Sequence, residues 1–189
     1  MNPYPPTFLS LLAALPSTAK VLDVGAGGRR HPGVVGVEIV EHPNNSVQCD
    51  ALALPFRDDT FDLIQCQAVL EHVVDPQLAV DEMTRVLRPG GIMYLEAAFM
   101  QPVHQEPHHY FNITPFGLAW LCRRLDADPV GFLGAPSEQF EWIFRDAGFE
   151  GILRPYEWSL LRKFLRSVDQ GITPEGVARM ASGVSIVAR

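Results

Sequence analysis

Cysteine is scarce in this chain of 189 residues: Cys49, Cys66 and Cys122 are the three copies, odd in number and far apart. They imply neither a disulfide framework nor a paired-cysteine zinc site, and a reducing cytoplasm is the expected compartment. Long apolar runs are missing too. None reaches the roughly 20 residues that cross a bilayer, so no membrane span is expected. The stretch from Phe8 to Leu15 has no Lys or Arg before it and no cleavage site in Pro16 to Lys20. It therefore reads as an N-terminal amphipathic helix and not as a signal peptide. Positive charge is also short: 15 Lys plus Arg against 22 Asp plus Glu leave a formal charge of -7. A phosphate-binding surface needs the opposite balance, so nucleic acid is not an expected partner. The one basic cluster, Arg154, Arg162, Lys163 and Arg166, reads as a solvated helix face.

With 47% hydrophobic and 20% charged residues the chain has a globular composition, and residues 1–189 suit one domain. Short β-branched runs at Lys20 to Val24, Val34 to Val40, Ser46 to Cys49, Phe61 to Cys66 and Ile92 to Ala98 read as strands. Between the last two, the apolar residues of Asp75 to Leu87 recur at helical spacing and stop at "RPGG". Strands alternating with a helix predict an α/β doubly wound, Rossmann-like sheet, mostly parallel. Phe99 to Asn112 has no periodicity and reads as a long loop, followed by a helix capped by Thr114 with Pro115 at its first position. "DADPVGFLGAP" predicts an irregular connection and Ser137 to Ala147 a helix. Phe149 to Tyr156 is expected as a strand, Trp158 to Val168 as a helix, and Gly183 to Ala188 as a final, antiparallel strand.

The stretch "VLDVGAGGRRHPGVVGVEIV" places a glycine turn after the first strand, where the ligand crevice of such sheets lies. A dinucleotide fingerprint would need glycine at position 30, which is Arg, and a P-loop would need Gly-Lys-Ser/Thr. Two acids take their place, Asp23 before the turn and Glu38 after it. Carboxylates accept from hydroxyls and ammonium groups and repel phosphates. A nucleoside carrying an amine and no phosphate fits both, and S-adenosylmethionine is such a ligand. The acids are only fifteen positions apart, against about twenty in the usual arrangement. A shortened first helix is therefore expected, with Arg29, Arg30 and His31 either donating to the cofactor carboxylate or covering the open flank of the sheet.

Five stretches in order, "VLDVGAGG", "GVEIV", "CDALALPFRDDTFDLIQCQAVLEHV", "EMTRVLRPGG" and "IMYLEAAF", resemble the class I S-adenosylmethionine-dependent methyltransferases. The likeness is strongest to the ubiquinone and menaquinone biosynthesis group. The resemblance implies that residues 20–103 form the cofactor half and 104–189 the acceptor side. It also implies that Asp23, Gly25, Ala26 and Gly27 line the methionine portion, that Glu38 takes the ribose hydroxyls and that Ile39 packs on the adenine. Asp50 would accept from the adenine amino group beside Ala51 and Leu52, and Gln67 would face the sulfonium. S-adenosylhomocysteine would be the product.

The loop and helix "QPVHQEPHHYFNITPFGLAWL" are similar to a segment of methyltransferases of polysaccharide assembly. His104, Pro107, Tyr110, Thr114, Gly117 and Leu118 match, while His109 and Asn112 stand where that group has aspartate and arginine. His104 and His109 are the candidate general bases, since imidazole titrates near neutral pH. Leu70 and His72 of "LEHV" read as packing and capping residues. A metal set of His104, His108, His109 and Glu106 is loosely spaced, and no metal is expected. The expected function is methylation of a small molecule or glycan at a hydroxyl oxygen. The alternative is a non-catalytic S-adenosylmethionine-binding partner subunit or sensor. Whether the chain forms a homodimer or joins a partner subunit stays open.

Overall fold

The computed structural model describes residues 3–44, 46–104 and 108–189. Apolar, β-branched runs form the strands β1 (Val21–Val24), β2 (Val34–Glu38), β3 (Val47–Gln48), β4 (Phe61–Gln67) and β5 (Leu87–Ala98). With β6 (Gly131–Leu133) and β7 (Gly183–Ala188) they make one seven-stranded sheet in the order β3-β2-β1-β4-β5-β7-β6. The first five are parallel, and β7 runs antiparallel to both β5 and β6. The order reverses between β1 and β4, which opens a crevice at their carboxyl ends.

Two helices fix the faces. α1 (Pro6–Ala13) packs Phe8 onto Val21, Leu63 and Tyr94 on one face. α2 (Pro76–Val86) buries Ala79, Val80, Met83 and Val86 in the larger core on the other, which also holds Leu22, Val24, Ile64, Cys66 and Leu95. Period-2 alternation explains the split, since neighbours in a strand point to opposite faces. On the α1 face the strands turn polar toward their carboxyl ends. Val21 gives way to Asp23, Leu63 to Gln65 and Gln67, and Ile92 to Tyr94 and Glu96. The register then aligns Asp23 with Gln65 with Tyr94, and Gln67 with Glu96 with Ser185. The sheet thus carries two polar rows beneath the crevice.

Several expectations need correction. Instead of a shortened first helix, the residues between β1 and β2 form no helix. Gly27 and Gly33 hold φ of +57° and +80°, and Pro32 lies between them, so the segment is a pair of turns. Phe149 to Tyr156 is not a strand. α5 (Phe149–Ile152) follows the left-handed Gly148, and Pro155 opens α6 (Pro155–Asp169) as its first residue. The strand beside β7 is β6, inside the segment expected to be irregular. The helix expected from Ser137 is α4 (Pro136–Asp146), and a further helix, α7 (Pro174–Met180), precedes β7. Ser137 binds the Asp169 carboxylate from both its backbone N and its hydroxyl, which ties α4 to the end of α6. Of the basic cluster on α6 and its N-cap, Arg154 pairs with Glu157 and Arg166 with Glu141, while Arg162 lies over Trp158. This is the solvated face expected of it.

α3 (Pro115–Leu121) begins as the sequence predicts. The Thr114 hydroxyl accepts from Gly117 N at 3.0 Å. Thr114→Ala is expected to cost about 1 kcal/mol, a fall in Tm of roughly 2–4 °C by calorimetry.

Candidate functional site

Asp23 is fully buried at the end of β1, which for a lone carboxylate would be prohibitive. Arg29, itself 8% exposed, folds back from the glycine turn to meet it. Its Nε and Nη2 donate to the two carboxylate oxygens at 3.2 and 3.0 Å, a bidentate pair. Nη2 also reaches the Gly25 carbonyl at 3.1 Å, and Nη1 the Gln67 Oε1 at 2.5 Å. Gln67 Nε2 donates on to Glu96 Oε2 at 2.7 Å, and the Tyr94 hydroxyl donates to Glu96 Oε1. Gln65 adds a donor to Asp23 from below. Burial holds the Asp23 carboxyl above the usual carboxylate range against the opposing pull of Arg29. Tyr4 closes the top, its ring 5.3 Å from the Arg29 guanidinium carbon. Arg29 therefore does the covering that a helix after β1 would do, whereas Arg30 is exposed and His31 turns to the Pro32 carbonyl.

Around this network the turn keeps backbone open. Gly25 sits at φ +70°, and a Cβ there would lie 2.1 Å from Val69 Cγ2, so only glycine fits. Gly25 N and Ala26 N both donate to Val37 O, which pins the turn to β2. Gly27 has open space beside it, and its N–H donates to Glu38 Oε2 at 2.9 Å. The other Glu38 oxygen accepts from Ile39 N. Ile39 is 58% exposed just past β2, an apolar surface with nothing covering it among the described residues. Asp50 turns its carboxylate to Leu52 N at the head of a turn, with Ala51 half-buried between them. The structure thus gathers Asp23, Gly25, Ala26, Gly27, Glu38 and Gln67 at the crevice, with Ile39, Asp50, Ala51 and Leu52 on its β2–β3 side. Gln67 faces Arg29 and Glu96.

The second group lies past β4 and β5. Leu70–His72 form a single 3-10 turn in which Leu70 and Glu71 are buried. The turn's backbone is tied to the long loop, for Glu71 O accepts from Tyr110 N at 2.7 Å. His104 and His109 lie with ring centroids 4.6 Å apart, and His72 joins them at 5.4 and 5.6 Å. His109 is occupied at both nitrogens: Nε2 donates to Phe111 O, so Nδ1 accepts from His104 N. Burial and the neighbouring His104 hold its imidazole below its usual value. His104 donates from Nδ1 to Pro102 O at 2.9 Å and keeps its Nε2 lone pair. Pro107 and Glu106 lie outside the described residues. Burial pushes the Glu71 carboxyl up, opposed by backbone N–H groups and by the nearby His104.

Two hollows adjoin this cluster. A small polar one of about 100 Å3 is lined by Gln67, Glu71, Glu96 and Gln101. A larger one of about 440 Å3 lies between the loop and α4, lined by Phe99, Met100, Pro102, Ile143 and Ala147 among others. Sequence reasoning missed Arg29's inward turn, Glu71 and Glu96. The alternation of "FDLIQCQ" and "IMYLEAA" carried the signal for the polar rows, but nothing local marked Arg29.

A family model matches the middle of the sheet and reaches Glu38, though not Asp23 or the glycine turn. A methyltransferase domain model fits residues 34–95. A ubiquinone/menaquinone biosynthesis C-methyltransferase, UbiE, of Xylella fastidiosa is 35% identical over 116 residues, 55% of this chain and 44% of its own length. The UbiE of Shewanella halifaxensis is 32% identical over 142 residues, 70% of this chain and 53% of its own. The chain belongs to the class I S-adenosylmethionine-dependent methyltransferases. It falls with the ubiquinone-biosynthesis-like group, and it spans about half the length of the curated relatives it matches. The Haemonchus contortus phosphoethanolamine N-methyltransferase 2, solved with S-adenosylhomocysteine, shares the fold at TM-score 0.59 and 16% identity. That likeness covers 96% of this chain and 51% of the other. Among the described residues no helix is long and apolar enough to cross a membrane.

Proposed function

We propose that the chain transfers the methyl group of S-adenosylmethionine to a small, largely apolar molecule bearing an ionisable hydroxyl. The observation that carries the acceptor class is the largely apolar hollow of about 440 Å3 lined by Pro102, whose carbonyl accepts from His104, a size typical of small-molecule sites. Its lining supports an apolar ring or chain over a glycan, the class first expected from the loop. When bound, S-adenosylmethionine supplies a methyl group on a sulfonium, which an acceptor lone pair displaces in line.

The chain's own residues fit that cofactor. Glu38 releases Gly27 N and turns its carboxylate to the two ribose hydroxyls, Ile39 offers an exposed apolar face to the adenine, and Asp50 accepts from the adenine amino group. Asp23, Gly25, Ala26 and Gly27 line the methionine portion, where Asp23 is already held by Arg29. On the acceptor side His104 Nε2 takes the hydroxyl proton, and His109 orders the loop by receiving His104 N. Positioning then supplies much of the rate.

A deprotonated hydroxyl on an aromatic ring is nucleophilic at oxygen and at the ring carbons beside and opposite it. The relatives named C-methyltransferases support a carbon acceptor, and oxygen transfer passes through the same ionised form. Incubating the chain with methyl-labelled S-adenosylmethionine and a panel of prenylated phenols tests the reading. Labelled product is expected, and its carbon–carbon or carbon–oxygen link is read by NMR. No transfer to any apolar phenol, with transfer to a glycan, would sink it. Glu38→Ala removes charge-assisted bonds to the ribose and is expected to raise the cofactor Kd roughly 10–100-fold by calorimetry.

A further inference from the structure

We infer that Glu71, His72 and His104 form a binding site for one divalent transition-metal ion of the zinc type. Each residue offers one ligand atom, and the three atoms lie within 4.8 Å of one another. The two histidines are set in the same way. His72 Nδ1 lies 2.7 Å from His108 O, and His104 Nδ1 lies 2.9 Å from Pro102 O. A carbonyl only accepts, so in each ring Nδ1 carries the proton and Nε2 presents its lone pair. Metal-bound histidines are held in this manner, by an outer carbonyl that fixes tautomer and ring orientation.

The second observation comes from what these atoms lack. Glu71 is 1% exposed, yet its Oε2 has no hydrogen-bond partner among the described residues, and the same holds for the buried His72 Nε2. A buried carboxylate oxygen and a bare imidazole nitrogen without partners, on residues whose ligand atoms lie within 4.8 Å of one another, are both costly, and one cation satisfies both. Two imidazoles and a carboxylate are a donor set for zinc, cobalt or iron, while magnesium and calcium prefer oxygen throughout. Tetrahedral ligands at 2.0–2.2 Å stand about 3.4 Å apart. The three atoms therefore close by a modest turn of His104, which sits on the loop, while Glu71 and His72 stay anchored in the 3-10 turn.

Three protein ligands leave a fourth position, as catalytic zinc sites do. Glu71 also lines the polar hollow of about 100 Å3. On the function proposed above, that position would take the acceptor's hydroxyl oxygen; the ion, as a Lewis acid, would lower its pKa so that the proton leaves to water, with His104 serving as a ligand in place of the base. The site itself does not depend on that reading.

Chelator-treated chain titrated with Co2+ is expected to give a visible d–d absorption that saturates at one ion per chain. One equivalent of Zn2+ should abolish it, and excess Mg2+ should not. His104→Ala, on the loop, and Glu71→Gln should each weaken Co2+ binding by more than the roughly 10–100-fold that loss of an outer partner costs. His42→Ala, remote and part-exposed, should bind like the parent. Zn2+ should raise the melting temperature of the parent and not of His104→Ala, whose circular dichroism reports whether it folds. No saturable Co2+ signal, displacement by Mg2+, or undiminished binding in a folded His104→Ala would each overturn the site. Binding is read without cofactor or acceptor, so loss of methyl transfer with Co2+ binding intact refutes the proposed function alone.

Discussion

Asp23→Ala is expected to lower the melting temperature by roughly 6–20 °C, the equivalent of about 3–5 kcal/mol in a chain of this size. The loss comes from the partner left behind. Arg29 and Asp23 side chains are 6% and 0% exposed, so removing the carboxylate strands a guanidinium beneath Tyr4 with no counter-charge. The double variant Asp23→Ala with Arg29→Met removes both charges and should regain most of the stability, since an apolar replacement of a buried pair is often neutral or better. Cofactor affinity should follow a different course: it falls in the single variant and stays low in the double, because the acid is absent from both. Differential scanning calorimetry and isothermal titration read the two effects separately. A fall of less than about 3 °C for Asp23→Ala would contradict the ion pair as the anchor of the turn.

In the metal-free chain His104→Ala is expected to reduce kcat by roughly 10²–10⁴-fold, the usual worth of a positioned proton acceptor, with the cofactor Kd unchanged. The ring stands on Trp142 of α4 at 5.1 Å and on the loop, away from the glycine turn. His109→Ala should cost less, since that ring's two nitrogens already serve Phe111 O and His104 N and its loss acts by loosening the loop. Single-turnover rates with labelled cofactor give the ranking. Equal losses for the two would remove the distinction between them.

The five parallel strands and β7 were legible because each is a short run rich in apolar residues, continuous where both faces of the sheet are covered, as in β1 and β4. α2 and the Thr114 cap were legible for similar local reasons. The misreadings share a cause outside the segment. "FEGILRPY" has β-like apolar content, but Gly148 ends α4 and Pro155 starts α6, so two helix boundaries override it. β6 spans three residues and exists by pairing with β7, more than fifty positions later, which no local pattern announces. The acids at the turn could be picked out because their spacing flanks the glycines. Arg29's inward fold could not, because its acceptors Asp23 and Gln67 are brought beside it by two different strands. Glu71 and His72 acquire their neighbour His104 in the same way, through a loop more than thirty residues on.

The missing helix between β1 and β2 also sets where the molecule opens most cheaply. β3 is two residues long, pairs with Val37 and Glu38, and has no crossover helix clamping it to β1. That flank belongs to the low end of the range of local opening free energies, so its amide protons should exchange with deuterium fastest among the strands. Glu38 and Asp50 bracket the same flank, and a ligand that bridges them ties the edge to the centre of the sheet. Filling the crevice would then complete the fold there, and slowed deuterium uptake at Val37 and Val47 is the expected trace of it.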